Sequence, residues 1–231
     1  MALHILSGGA AKGLVSALQK SFGEETGVAI EGAFGAVGVM KDRFLAGEAC
    51  DVIILTAALI EQLTKDGHVV PGSSAALGRV LTGIAVRSDE AMPDVSSRES
   101  LAKALLVAKG IYFPDPERAT AGIHFANVLR QLGIYDEVAS RLRPYPNGAT
   151  AMAAMAATSE SDLIGCTQVT EIKYTEGVTL VAPLPKEFEL ATIYTAAVAS
   201  KSVDPMDARQ LVALLSGSTS AKVRADGGFE F

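Results

Sequence analysis

The chain has 231 residues, enough for one large domain or two small ones, and 49% of them are apolar, enough for a full core. Its 20 Lys and Arg against 26 Asp and Glu leave a net charge of −6, the wrong sign for a nucleic-acid-binding surface. Two cysteines, Cys50 and Cys166, cannot make a disulfide framework, and three scattered histidines (His4, His68, His124) offer no ligand spacing, so no metal or other cofactor is expected.

No run of about eighteen apolar residues occurs, which argues against membrane insertion. Met1-Ala2 leads straight into apolar sequence without a secretory signal. The expected location is therefore the cytoplasm for the chain as it stands, or the periplasm if it begins at a mature N-terminus.

Leu3, Ile5 and Leu6 read as a short strand that ends in Ser7-Gly8-Gly9, and Leu14, Val15, Leu18 and Phe22 make the apolar face of a helix that follows at once. Such a turn leaves backbone N–H groups unpaired at a helix N-terminus, beside a hydroxyl, where the helix dipole favours negative charge. The same Gly-Gly is also an ordinary strand-to-helix turn. It is no nucleotide fingerprint: Gly8, Gly9 and Gly13 do not fit G-x-G-x-x-G, and G-x-x-x-x-G-K-[ST] is absent from the chain.

Val28–Gly32 reads as a second strand, and Gly35-Ala36-Val37-Gly38 opens a helix with Val39, Met40, Phe44 and Leu45 on its apolar face. Asp51–Leu55 is a continuous apolar run of the kind found in parallel strands buried on both faces, and Thr56 caps the next helix. Three strand–helix alternations in 65 residues predict a parallel sheet covered by helices.

A longer strand is expected over 78–87, followed by a turn-rich stretch, Ser88–Ser100, of the kind where a chain leaves one lobe for another. A second series follows: helix Leu101–Ala108, strand Ile111–Phe113, helix Thr120–Leu132, a short helix to Leu142, and an Ala/Met-rich core helix over 149–157. Asp162–Cys166 is a buried strand ending at Thr167-Gln168, where another helix starts. Strands at Val178–Val181 and Glu189–Ala199, a helix Pro205–Leu215 capped by Asp204, and a last short helix complete the chain.

Four junctions look alike: Ser7-Gly8-Gly9, Gly35 to Gly38, Ala119 to Gly122, and Thr167-Gln168. Ligands of open α/β sheets sit beyond the carboxyl ends of the strands. Two lobes facing each other across a cleft would let all four surround one anion. The residues expected to line it are Ser7, Gly8, Gly9, Ala10, Ala36, Val37, Thr120, Ala121, Gly122, Thr167 and Gln168.

Over nearly its whole length the chain resembles the type II periplasmic solute-binding proteins, and within them the molybdate-binding branch. The stretches that carry the resemblance are ILSGGAAKGLVSAL, FLAGEACDVIIL with Asp51, FPDPERATAGIHFANVLRQLGIYD and ESDLIGCTQ. It implies an α/β fold of two lobes, each a mostly parallel sheet flanked by helices. Lobe one is expected over 1–80 plus 188–231 and lobe two over 81–187. It also implies an oxyanion held by hydroxyls and backbone N–H groups, and an ABC transporter permease as partner if the protein is exported. Two departures stand out. Ala36-Val37-Gly38 replaces the family's serine at the second junction, and Thr167 stands where a tyrosine often reaches the oxyanion. They leave an oxyanion and a carboxylate as alternative ligands.

Some relatives with this fold are isomerases of aconitate, which makes such an enzyme the alternative function. Shifting a double bond needs a base beside a carboxylate and donors for the resulting anion. His124 and Lys12, each one turn into a helix that opens at a junction, are the candidate bases; a half-buried or solvated helix position is the simpler account of each. Tyr112 and Tyr194 read as core residues with a polar tip, and Arg79 and Arg87 as members of surface ion pairs.

Overall fold

The computed structural model describes residues 2–231, which fall into two compact units. The first runs up to Val80 and resumes over Thr192–Phe231; the second is Leu81–Ala191. Ser88–Ser100 therefore lies inside the second unit, and the chain passes between units within one long strand and at the start of another.

The first unit opens with β1 (Ala2–Gly8), a 3-10 turn over Gly9–Ala11 and α1 (Lys12–Thr26), followed by β2 (Ala29–Gly35), α2 (Val37–Leu45), β3 (Val52–Thr56) and α3 (Ala57–Lys65). β4 (Ala75–Arg87) leaves the unit, and β9 (Ala191–Val198) returns to α9 (Pro205–Ser216) and α10 (Ala221–Asp226). β2, β1 and β3 run parallel, and β9 lies antiparallel beside β3. Val52 to Leu55 are wholly buried, as a strand with helices on both faces requires. β2 runs three residues past the expected strand, because register with β1 rather than burial holds its residues, of which only Gly35 is buried.

The buried carboxylate of Asp51 ties this unit together. It accepts from the His4 N–H at 2.9 Å, the Ser202 hydroxyl at 2.7 Å and the Val203 N–H at 3.0 Å. The start of β3 is thereby joined to β1 and to the turn before α9.

The second unit holds α4 (Arg98–Val107), β5 (Gly110–Pro114), α5 (Thr120–Gln131), α6 (Tyr135–Val138), β6 (Leu142–Tyr145), α7 (Gly148–Ala157), β7 (Leu163–Gln168), α8 (Val169–Tyr174) and β8 (Val178–Pro183). β6 was not expected. It is a short outer strand parallel to β5, containing Pro144, a residue that sheets tolerate at an edge. β5 and β7 run parallel, while β4 pairs antiparallel with β7 and β8.

Alternation along β7 splits the unit's core into two layers. Ile164 and Cys166 point into a cluster with Phe113, Phe125, Leu101 and Leu129, while Leu163 packs on the other face with Met152 and Met155 of α7. Both cysteines are free and buried, and burial pushes the Cys50 thiol up to about 12. Among the described residues no helix is long and apolar enough to cross a membrane.

Candidate functional site

Side-chain caps divide the longer helices into two groups. Thr56, Ser97, Asn147 and Asp204 accept from backbone N–H groups at the starts of α3, α4, α7 and α9. α1, α2 and α5 have no such cap, and none carries an acidic residue in its first turn. Those three helices begin where the sequence predicts anion seats. Donors at these ends are therefore not taken up by a local side-chain oxygen.

In the first unit the structure brings two junctions to one sheet edge. Gly8 pairs with Gly35 across β1 and β2, so the turn after β1 and the start of α2 are neighbours. A Cβ on Gly8 would lie 2.8 Å from Val37 Cγ1 and 3.0 Å from Tyr194 Cε1. Gly8, Val37 and the Tyr194 ring thus pack together, with Ala36 immediately before α2. Gly9 and Ala10 form the 3-10 turn ahead of α1. Ser7 is buried, and its hydroxyl donates to the Gly8 carbonyl at 2.8 Å. Tyr194 is core, as its strand position predicts; its place against Gly8 follows from β9 running back beside β3, which no local pattern announces.

In the second unit α5 starts against the end of β5. A Cβ on Gly122 would lie 2.2 Å from the Pro114 carbonyl oxygen and 2.3 Å from that of Asp115, so only glycine lets the helix come this close. Thr120, Ala121 and Gly122 occupy its first turn. His124 follows, half-buried, with Nε2 2.7 Å from the Phe188 carbonyl oxygen. A carbonyl only accepts, so Nε2 carries the proton and Nδ1 is left as the basic nitrogen. Lys12 is the first residue of α1 and is half-buried.

β7, the neighbour of β5, delivers Thr167 and Gln168 to the same edge. Thr167 is fully buried and donates its hydroxyl to Glu171 Oε2 at 2.5 Å. Burial pushes the Glu171 carboxyl above the usual carboxylate range, against the pull of the Thr167 hydroxyl and of the Ala149 and Gln168 N–H groups. α8 has only six residues, so this junction offers side chains more than a helix dipole. Gln168 is buried, and neither atom of its carboxamide has a hydrogen-bond partner among the described residues.

Arg79 pairs with Glu230 at the surface, as expected, whereas Arg87 pairs with Asp89 but is largely buried and also donates to the Thr158 and Glu160 carbonyls. Among the described residues no group of three or more His, Cys, Asp or Glu side chains is placed to hold a metal ion.

Residues 3–230 match the family described as bacterial extracellular solute-binding protein. The chain belongs to that family. Its fold is that of the periplasmic molybdate-binding protein of Azotobacter vinelandii, with a TM-score of 0.80 over 99% of both chains at 17% identity. The sulfate-binding protein SubI of Mycobacterium tuberculosis gives 0.76 over 99% of this chain and 86% of that one, at 15% identity. In sequence the chain is 26% identical to an aconitate isomerase from Pseudomonas sp over 234 residues, 99% of this chain and 87% of the relative.

Proposed function

We propose that this solute-binding protein takes a small anion, an oxyanion or a carboxylate, at the strand-to-helix junctions of its units. The candidate positions are Ser7 to Ala10 with Ala36 and Val37 in the first unit, and Thr120 to Gly122 with Thr167 and Gln168 in the second. The observation that carries the reading is the division of the helix caps. Every helix of eight or more residues begins on a side-chain cap except α1, α2 and α5, the three that open at these junctions. The family membership and the oxyanion-binding relatives support it. In this role the protein would work outside the cytoplasm and deliver its ligand to an ABC transporter permease. A thermal-shift screen against molybdate, tungstate, sulfate, phosphate, citrate, and cis- and trans-aconitate tests it, since a ligand of the native state raises the midpoint by mass action. If none of these anions moves the midpoint, the reading fails.

The likeness to an aconitate isomerase favours a second reading, in which the same site moves a double bond. Nδ1 of His124 would then be the base, its ring fixed by the Phe188 carbonyl, with the open helix ends stabilising the carbanion. Proton NMR of cis-aconitate incubated with the protein decides it: no trans isomer above the protein-free control excludes turnover.

A further inference from the structure

Gln168 and Thr82 are Cα partners across the antiparallel pair β4 and β7, so their side chains project from the same sheet face. One pleat further in, Ile84 and Cys166 form the next pair on that face, and both pack into the cluster with Phe113, Phe125 and Phe188. Gln168 and Thr82 thus stand at the outer edge of the layer that α5 covers. Gln168 is 2% exposed and Thr82 1%. Among the described residues, Gln168 Oε1 and Nε2 and the hydroxyl of Thr82 all lack a hydrogen-bond partner. Buried polar groups are nearly always paired, and leaving them unpaired is costly. This cluster is therefore built to meet something.

What it meets follows from the inventory of donors and acceptors. A carboxamide presents an acceptor as well as two donors, and a threonine hydroxyl does both. A bare oxyanion such as molybdate or sulfate only accepts; it would satisfy the amide N–H groups and set its own lone pairs against Gln168 Oε1. We infer that Gln168, assisted by Thr82, selects an anion that carries its own hydrogen-bond donor, and that the ligand class is a hydroxycarboxylate. This rests on the reading that a small anion binds at these junctions, and it adds which anion.

Matched ligands differing by one hydroxyl test it by titration calorimetry: citrate against tricarballylate, and malate against succinate. Hydrogen phosphate against sulfate makes the same comparison without carbon. The unmodified protein should prefer the hydroxyl-bearing member of each carboxylate pair by about tenfold or more, because the analogue leaves the amide oxygen unpaired. Gln168→Leu, which removes two unpaired polar atoms, should melt no lower than the parent and bring the ratio to about unity. Thr82→Val should reduce it less.

Carboxylates bound equally with and without the hydroxyl overturn the inference while leaving anion binding intact. So does a preference that survives in Gln168→Leu. Preference for hydrogen phosphate over sulfate with no carboxylate bound would keep the donor requirement and overturn the hydroxycarboxylate. Binding of molybdate or sulfate alone overturns both parts of the inference. If no anion in either panel binds, the proposed function falls with it.

Discussion

The approach of α5 to β5 can be tested by adding a single methyl group. In Gly122→Ala the new Cβ would sit 2.2 Å and 2.3 Å from the Pro114 and Asp115 carbonyl oxygens, and 2.7 Å from the Asp115 carbonyl carbon. These are backbone atoms that cannot rotate aside, so the start of α5 must retreat by about 1 Å. Overpacking typically costs about 1–3 kcal/mol, and a clash with two fixed carbonyls belongs at the upper end, about 3 kcal/mol. For a chain of this size each kcal/mol lowers the midpoint by about 2–4 °C, so a fall of about 6–12 °C is expected. Gly133→Ala, beyond the other end of the helix, is the control. Gly133 has φ 75° with no other atom within 4 Å of its would-be Cβ, so that variant carries only the left-handed backbone cost of about 1–2 kcal/mol. Differential scanning calorimetry gives the two midpoints and calorimetric titration the anion affinity. Gly122→Ala should lose stability and affinity together, Gly133→Ala stability alone. A Gly122→Ala protein that melts with the control and binds like the parent would refute the close approach and the role given to the first turn of α5.

Two further substitutions probe the buried carboxylates. Asp51→Ala removes the acceptor of two backbone N–H groups and a hydroxyl in the first unit, so a loss of about 3 kcal/mol or more is expected in urea unfolding; a loss under about 1 kcal/mol would show that Asp51 is not the tie described. Glu171 has the opposite character, since its folded pKa lies above its unfolded one. Its contribution is fully present below the unfolded value of about 4.3 and is lost as pH rises through the raised folded value. Glu171→Gln stays neutral at every pH and keeps an acceptor oxygen, so its midpoint should rise relative to the parent as pH rises from below the unfolded value through the raised folded one. A difference that does not change with pH would contradict the assignment.

Much of this architecture is legible in the chain because burial on both faces writes itself as apolar runs. Val52 to Leu55 and Leu163 to Cys166 are of that kind, and Thr56 and Asp204 fix helix boundaries by local chemistry. The elements missed or shortened lack that signature. β6 has four residues, one of them proline, and β2 has one buried residue, Gly35; each is held by a neighbouring strand rather than by its own pattern. The junctions could be read because turns and helix starts are local. The Tyr194 ring against Gly8, and Thr82 opposite Gln168, depend on antiparallel returns from distant parts of the chain.

The hydroxyls gain a different meaning once their protons are followed. The resemblance implies hydroxyls and backbone N–H groups around an oxyanion, with Ser7 in the first unit, while Thr167 in the second is a departure that stands in place of a tyrosine. Ser7 donates to the Gly8 carbonyl and Thr167 to Glu171, so both protons are engaged within the protein. The second junction has no hydroxyl at all, only Ala36 and Val37. Under the proposed function, the groups left to meet an anion are the uncapped starts of α1 and α2 in the first unit, and that of α5 with the carboxamide of Gln168 in the second. Backbone donors hold negative charge without regard to its shape, whereas a carboxamide distinguishes an acceptor from a group that also donates. Under that proposal the helix ends would supply general affinity for an anion, and Gln168, next to the position where the resemblance implies a tyrosine, would supply the choice among anions.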